Sequence, residues 1–219
     1  MRKLIVIEGV SDGVGKSTQV KELYDKLVKD GYNVTYHHFP SYKEKGATLV
    51  EAYLKGELGE REELSPYVVS SFFAMDRFYA FNKDLKDKEG IILLDRYTSS
   101  NLIYQGALLK DEEKNEFFRY ICDYEYNKLG LKEPDLVIFL KVDKEKALEL
   151  LEKRNDKDKD INEQDLEYLD KVYDNSIVVA SKYNFKIIEC CEGGNLRSIE
   201  DISQEVYKVV KKFLINNKK

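Results

Sequence analysis

Three stretches of this chain, Leu4-Ile5-Val6-Ile7, Ile91-Ile92-Leu93-Leu94 and Leu136-Val137-Ile138-Phe139-Leu140, are apolar at every position. A strand with one wet face alternates apolar and polar residues, so an unbroken apolar run implies burial on both faces. Strands of that kind belong to parallel sheets covered by helices on each side. The intervening segments supply those helices. Residues 16 to 30 place Val20, Leu23, Leu27 and Val28 on one face and end at Gly31, a helix stop. Helical spacing predicts further helices over 46–55, 65–86, 111–128, 143–154, 165–183 and 198–214. Ser65 and Pro66 open one of them as N-cap and first helical residue. Further strands are expected at 33–38 and 186–190, and the third apolar run extends over 135–142. The reading is an α/β fold, a five-stranded parallel sheet flanked by helices in three layers.

The 219 residues carry 36 basic and 41 acidic side chains, a net charge of −5, with 42% hydrophobic residues. That balance suits a single domain, 1–219, whose core needs neither disulfides nor structural metal. The acidic surplus argues against a duplex nucleic acid partner, which requires excess Lys and Arg to displace phosphate counterions. Cys122, Cys190 and Cys191 show neither pairing pattern nor metal-ligand spacing, and the two histidines, His37 and His38, are adjacent. The first apolar run stops at Glu8, and no stretch approaches the roughly 18 apolar residues of a membrane span. The expectation is a soluble, cytoplasmic protein with no nucleic acid and no membrane partner. The polar stretch from Asn155 to Asp165 reads either as a solvated loop or as a lid that closes on substrate.

The chemistry concentrates in Gly9-Val10-Ser11-Asp12-Gly13-Val14-Gly15-Lys16-Ser17-Thr18, directly after the first strand and at the start of a helix. N–H groups of a glycine-rich turn converge inward, and a helix N-terminus adds its positive dipole end, so polyphosphate is held there by backbone donors. Gly13, Val14, Gly15, Lys16, Ser17 and Thr18 are the nucleotide-binding candidates of a P-loop NTPase fold. Lys16 would reach the β- and γ-phosphates of ATP, and the Ser17 hydroxyl would ligate Mg²⁺. The usual spacing puts the first glycine where Val10 stands, so the loop is one residue longer, the extra residue lying among Val10 and Ser11.

A P-loop implies a nucleoside triphosphate but not its use. Asp95-Arg96-Tyr97 closes a buried strand, and ligands bind at that edge of an open α/β sheet. Asp95 can hold Mg²⁺ through water, which makes Ser17 and Asp95 the metal candidates. Arg96 can neutralise a transferring phosphoryl group. A common GTPase would show Asp-x-x-Gly at a strand end and Asn-Lys-x-Asp later, and neither occurs.

The chain also carries Phe39-Pro40, Phe72-Phe73-Ala74-Met75-Asp76-Arg77, Asp95 to Asn101 followed by Tyr104-Gln105, Leu129-Gly130-Leu131-Lys132-Glu133-Pro134-Asp135, and Arg154 opening the polar stretch. In this order and over its whole length it resembles the thymidylate kinase family. The resemblance implies transfer of the γ-phosphoryl group of ATP to dTMP, giving dTDP, with Mg²⁺, in a two-fold homodimer with a short lid at about 154–165. It implies that Asp12 contacts the deoxyribose 3′-hydroxyl or the acceptor phosphate region, that Phe39 and Pro40 wall the sugar, and that Phe73 stacks on thymine. Arg77, one turn later on the same helix face, would donate to thymine O4. Arg96 would bridge acceptor phosphate and transition state, Asn101 would bond the base, Tyr104 would crowd the 2′ position, and Gln105 would lie near the base. Tyr120, Tyr124 and Tyr126 read as packing and interface residues.

Two departures accompany the resemblance. Tyr42 stands where family members with Phe-Pro-x-Arg have the arginine. Lys43 or Lys45 are the candidate substitutes, although a point charge lacks the bidentate fork. The P-loop has no arginine, so the lid is expected to supply one, with Arg154 as the candidate and Lys157 and Lys159 as weaker cations. Lys16, Asp95, Arg96 and Arg154 form the expected catalytic group. Two other readings stay open: a kinase for another deoxynucleoside monophosphate or a nucleoside, and a nucleotide-binding protein that has lost transfer.

Overall fold

The apolar runs become the inner strands of one parallel sheet. The computed structural model describes residues 2–10, 15–152, 161–162 and 165–217. Strands β1 (Lys3–Gly9), β2 (Val34–His38), β3 (Ile91–Asp95), β4 (Leu136–Lys141) and β5 (Lys186–Glu189) pair in the order β2-β3-β1-β4-β5, every pair parallel. The helices are α1 (Lys16–Lys29), α2 (Thr48–Leu54), α3 (Pro66–Ala80), α4 (Thr98–Tyr104), α5 (Asp111–Cys122), α6 (Lys144–Glu152), α7 (Leu166–Lys182) and α8 (Ile199–Asn216).

Side chains alternate across a strand, so each apolar run feeds two cores. Ile5 and Ile7 pack with Leu93 and Ile138 under Leu23 and Leu27 of α1 and Val206 and Val210 of α8. Leu4 and Val6 join Ile92 and Leu94 on the other face, against Phe39, Phe81, Leu85 and Tyr97. Phe139 of β4 joins Ile103, Phe117, Ile121 and Val172 from α4, α5 and α7. Val28 is a correction to the stripe expected on α1. One residue past Leu27 it turns off the buried face and is 45% exposed.

Several elements went unforeseen. α4 is seven residues of mostly polar sequence, too short for a periodic signal. The helices expected over 65–86 and 111–128 each end in a π-helical turn, Phe81–Leu85 and Asp123–Lys128, which apolar spacing does not reveal. A two-stranded antiparallel ribbon, β6 (Cys191–Glu192) with β7 (Asn195–Leu196), follows the sheet. Among the described residues no helix is long and apolar enough to cross a membrane. Burial pushes the Cys190 thiol up to about 12 and raises that of Cys122, which disfavours the reactive thiolate in both.

The register decides where chemistry can gather. Ile7 of β1 lies beside Asp95 of β3, and Asp95 beside His38 of β2. The C-terminal ends of three strands therefore meet at one edge.

Candidate active site

β1 runs out at Gly9 and α1 begins at Lys16 on that same edge. Gly15, at φ 78°, occupies the left-handed region that favours glycine and turns the chain into the helix. No side chain caps this end, and its first turn holds no acidic residue, so the helix dipole is left to an anion. Ser17 and Thr18 are exposed there, whereas Lys16 is 3% exposed. The Lys16 ammonium pairs with the wholly buried Asp95 carboxylate. The Ser17 hydroxyl lies 3.4 Å from the second oxygen of Asp95. Asp12, Gly13 and Val14, with Ser11, lie outside the described residues.

Arg96 follows with φ 66°, an uncommon conformation for a residue with a side chain. Its N–H donates to the Ile7 carbonyl at 3.1 Å. Arg96 Nη1 donates to the Tyr104 hydroxyl at 3.0 Å and lies 3.4 Å from both Glu8 Oε1 and the Gly9 carbonyl. The Tyr104 hydroxyl donates to the Val10 carbonyl. Glu8 is fully buried and accepts from Ser99 Oγ at 2.7 Å, Ser100 Oγ at 2.8 Å and the Gly9 N–H at 3.1 Å. Glu8 thus ties the end of β1 to the segment that carries Arg96. The sequence reading assigned it no role, although a carboxylate closing an unbroken apolar strand is itself a signal, since buried charge persists only when paired.

The third group lies on α3, α4 and the turn after α5. Ser65 caps α3 by accepting from the Tyr67 N–H at 3.3 Å. Phe73 is half-buried, edge-on to Tyr53 at 6.2 Å. Arg77 is 1% exposed, with Nε and Nη2 each 2.7 Å from the Glu125 carboxylate. Glu125 also accepts from Thr98 Oγ1 at 2.8 Å and Asn101 Nδ2 at 2.9 Å. Asn101 Nδ2 donates in addition to the Ser70 carbonyl at 3.0 Å. Gln105, Phe39 and Pro40 are buried, the Phe39–Pro40 peptide is cis, and the Phe39 ring sits between those of His37 and Tyr97 at 4.7 and 6.1 Å. The fold therefore brings Arg77 and Asn101 together, and what joins them is Glu125, a residue the sequence reading missed. Phe117 and Ile121 of the same helix face are wholly buried, so the charge at the next position of that stripe was the available clue.

The family model for thymidylate kinase matches residues 7–206. The chain belongs to the thymidylate kinase family. It is 35% identical to a thymidylate kinase of Brachyspira hyodysenteriae over 78% of this chain and 79% of the relative. It is 29% identical to a probable thymidylate kinase of Sulfurisphaera tokodaii over 96% of each. Its fold superimposes on the thymidylate kinase from Candida albicans with a TM-score of 0.71 at 24% identity, covering 96% of this chain and 91% of that one.

Tyr42 is 50% exposed and stacks on His38 at 6.0 Å, and Lys43 and Lys45 are exposed. Arg154, Lys157 and Lys159, the cations expected of a lid, lie outside the described residues. Ile161 and Asn162 rest on α2, the first donating its N–H to the Leu54 carbonyl at 3.3 Å, the second accepting from the Tyr53 hydroxyl at 3.2 Å. Asp165 then caps α7 by accepting from the Tyr168 N–H at 3.0 Å. Tyr120 and Tyr124 stack at 5.9 Å, in keeping with a packing role.

Proposed function

We propose that this chain transfers the γ-phosphoryl group of ATP to dTMP, forming dTDP and ADP. An oxygen of the dTMP phosphate attacks the γ-phosphorus while the bond to the β-bridging oxygen breaks. The acceptor is already an oxyanion, so no side chain has to remove a proton. The observation that carries the reading is the meeting, at one sheet edge, of Lys16, Asp95 and Arg96 with the Arg77–Asn101 pair, inside the span matched by the family.

The work left to the protein is positioning and charge stabilisation. Lys16, the amides of Gly13 to Thr18 and the start of α1 hold the ATP phosphates. Arg96 takes the acceptor phosphate, and Arg154 covers the transferring group from the lid. Phe73 stacks on the base, Arg77, Asn101 and Gln105 read it, and Phe39, Pro40, Asp12 and Tyr104 bound the sugar. A hydroxyl facing a buried carboxylate, Ser17 and Asp95, is the hard-oxygen set that suits Mg²⁺. When bound with ATP, that ion neutralises charge on the β- and γ-oxygens. The protein is read as cytoplasmic, with a second copy of itself as partner. Val68, Met75 and Phe78 of α3 are exposed apolar residues near one helix face, a surface that suits that partner.

The test is an ADP-release assay with ATP and Mg²⁺ on dTMP, dUMP, dCMP and dGMP. Turnover on dTMP well above the other three supports the assignment. A raised melting temperature with dTMP but no turnover moves the protein to the binding-only class.

A further inference from the structure

We propose that Glu125 is a positioning residue that fixes the hydrogen-bonding polarity of the base-reading edge, and so makes the site select a 4-oxo over a 4-amino pyrimidine. The inference rests on the reading of Arg77 and Asn101 as base contacts, and it assigns to a residue that touches no substrate the choice between two base classes.

The polarity of the edge follows from a count of protons and lone pairs. An asparagine amide offers two N–H donors and one carbonyl acceptor, and nothing intrinsic decides which end faces a ligand. Here both donors of Asn101 are taken, one by the Ser70 carbonyl and one by Glu125 Oε1. Oδ1 alone is left to meet a base, and it can only accept. Glu125 Oε1 is also the acceptor for Arg77 Nη2, while Oε2 takes Arg77 Nε and Thr98 Oγ1. Arg77 Nη1 lies 3.5 Å from the Tyr97 carbonyl and keeps a second N–H to offer, and a guanidinium can only donate. An acceptor and a donor are thus set next to one another, because both side chains are anchored on one carboxylate oxygen.

That pair complements a pyrimidine with N3–H and a 4-oxo group. Cytosine presents the reverse, a lone pair at N3 and an amino group at C4. To meet cytosine, Asn101 would have to turn its amide over, and Oδ1 would then face Glu125 Oε1 and the Ser70 carbonyl. Acceptor against acceptor in a buried place is strongly unfavourable. Glu125 therefore selects by penalising the wrong base. Thymine and uracil share the 4-oxo edge and differ by a methyl group that this carboxylate does not address. The selection should separate dTMP and dUMP together from dCMP.

The experiment measures kcat/KM for dTMP, dUMP and dCMP in the wild-type enzyme, in Glu125→Gln and in Thr98→Val. A glutamine at 125 can donate to Asn101 Oδ1 and so removes one of the two acceptor clashes that a turned amide meets, the Ser70 carbonyl remaining. The expected result is a fall of about tenfold or more in the dTMP-over-dCMP preference, with dTMP over dUMP within about twofold of wild type. A merely structural role would loosen the pocket for all three acceptors alike. Thr98→Val leaves the ion pair with Arg77 in place and removes one donor that holds Oε2, so it reports even where Glu125→Gln does not fold. It should lower the same preference about threefold. Both preferences unchanged in Thr98→Val, or both falling in parallel in either variant, overturns the role of Glu125. Wild-type enzyme without turnover on dTMP instead overturns the substrate reading on which the role rests.

Discussion

The ammonium of Lys16 and the carboxylate of Asp95 form an ion pair, 3% and 0% exposed, that joins the first turn of α1 to the end of β3. On the proposed function, polyphosphate arriving at the loop would compete with Asp95 for the same cation, and the pair would hold the lysine where it is used.

Lys16→Met tests both roles. Removing one partner leaves a buried carboxylate without its counter-charge, which costs about 3 kcal/mol or more, and the urea midpoint should fall accordingly. Turnover should fall about a hundredfold or more, the scale of losing one preorganised charge in a dry site. Adding Asp95→Asn should restore most of the stability and none of the activity. A single variant that unfolds at the wild-type midpoint would show that the pair contributes nothing to the fold.

Glu8→Gln addresses the aim of Arg96. The carboxylate gathers Ser99, Ser100 and the Gly9 N–H while facing Arg96 Nη1. With a neutral amide the guanidinium loses its ionic partner at the loop, and a misplaced charge near a reacting phosphate costs turnover more than binding. The expected outcome is a kcat about tenfold lower with the ATP KM within about threefold of wild type. Equal kcat in steady-state assays would remove Glu8 from the account.

The sheet was legible because its evidence is redundant. Each inner strand carries an unbroken apolar run, the longer helices have a stripe, and the Gly-Lys-Ser-Thr turn marks which edge is expected to carry the ligand. The residues that join the site together were not legible in the same way. Glu125 reaches Arg77, Thr98 and Asn101 from 48, 27 and 24 residues away in sequence, a distance over which local periodicity carries no information. Arg77 shows the same limit. Its spacing from Phe73 gives the helix face, but only the packed structure reveals a wholly enclosed guanidinium with a dedicated carboxylate.

Acid should destabilise the protein through its two histidines. Burial holds the His37 and His38 imidazoles below their usual 6.5, against the nearby carboxylates of Asp76 and Asp95 that raise them. Between that lowered value and 6.5 the unfolded chain binds more protons than the folded one, so stability falls as pH drops through this window. Asp76, raised by burial, acts in the opposite sense starting from its usual 3.8. The His37→Asn, His38→Asn double variant should show a flatter urea midpoint between about pH 7 and pH 5 than wild type. Parallel profiles would contradict the assignment.

Arg154→Ala tests the proposed lid arginine by separating chemistry from binding. A cation that meets the transferring phosphoryl group acts chiefly in the transition state, so kcat and kcat/KM for dTMP should fall together, by about a hundredfold or more. dTMP affinity, read by thermal shift, should change little. Unchanged turnover would pass the role to Lys157 or Lys159, which the corresponding alanine variants then test.

The proposed contact with a second copy can be tested at one residue. Met75 is 36% exposed and stands between Val68 and Phe78 on α3, one residue before the buried Asp76 and two before Arg77. A charge at Met75 would be buried without a partner in any interface that covers this helix, and such a charge is strongly unfavourable. Met75→Glu is therefore expected to shift a dimer to monomer in sedimentation equilibrium while the isolated fold keeps its helical signal. Because Arg77 lies on the helix that the second copy would brace, the monomer should also show a raised KM for dTMP with the ATP KM preserved. A variant that sediments as wild type, or a wild-type protein that is monomeric at assay concentration, would rule out this face as the contact.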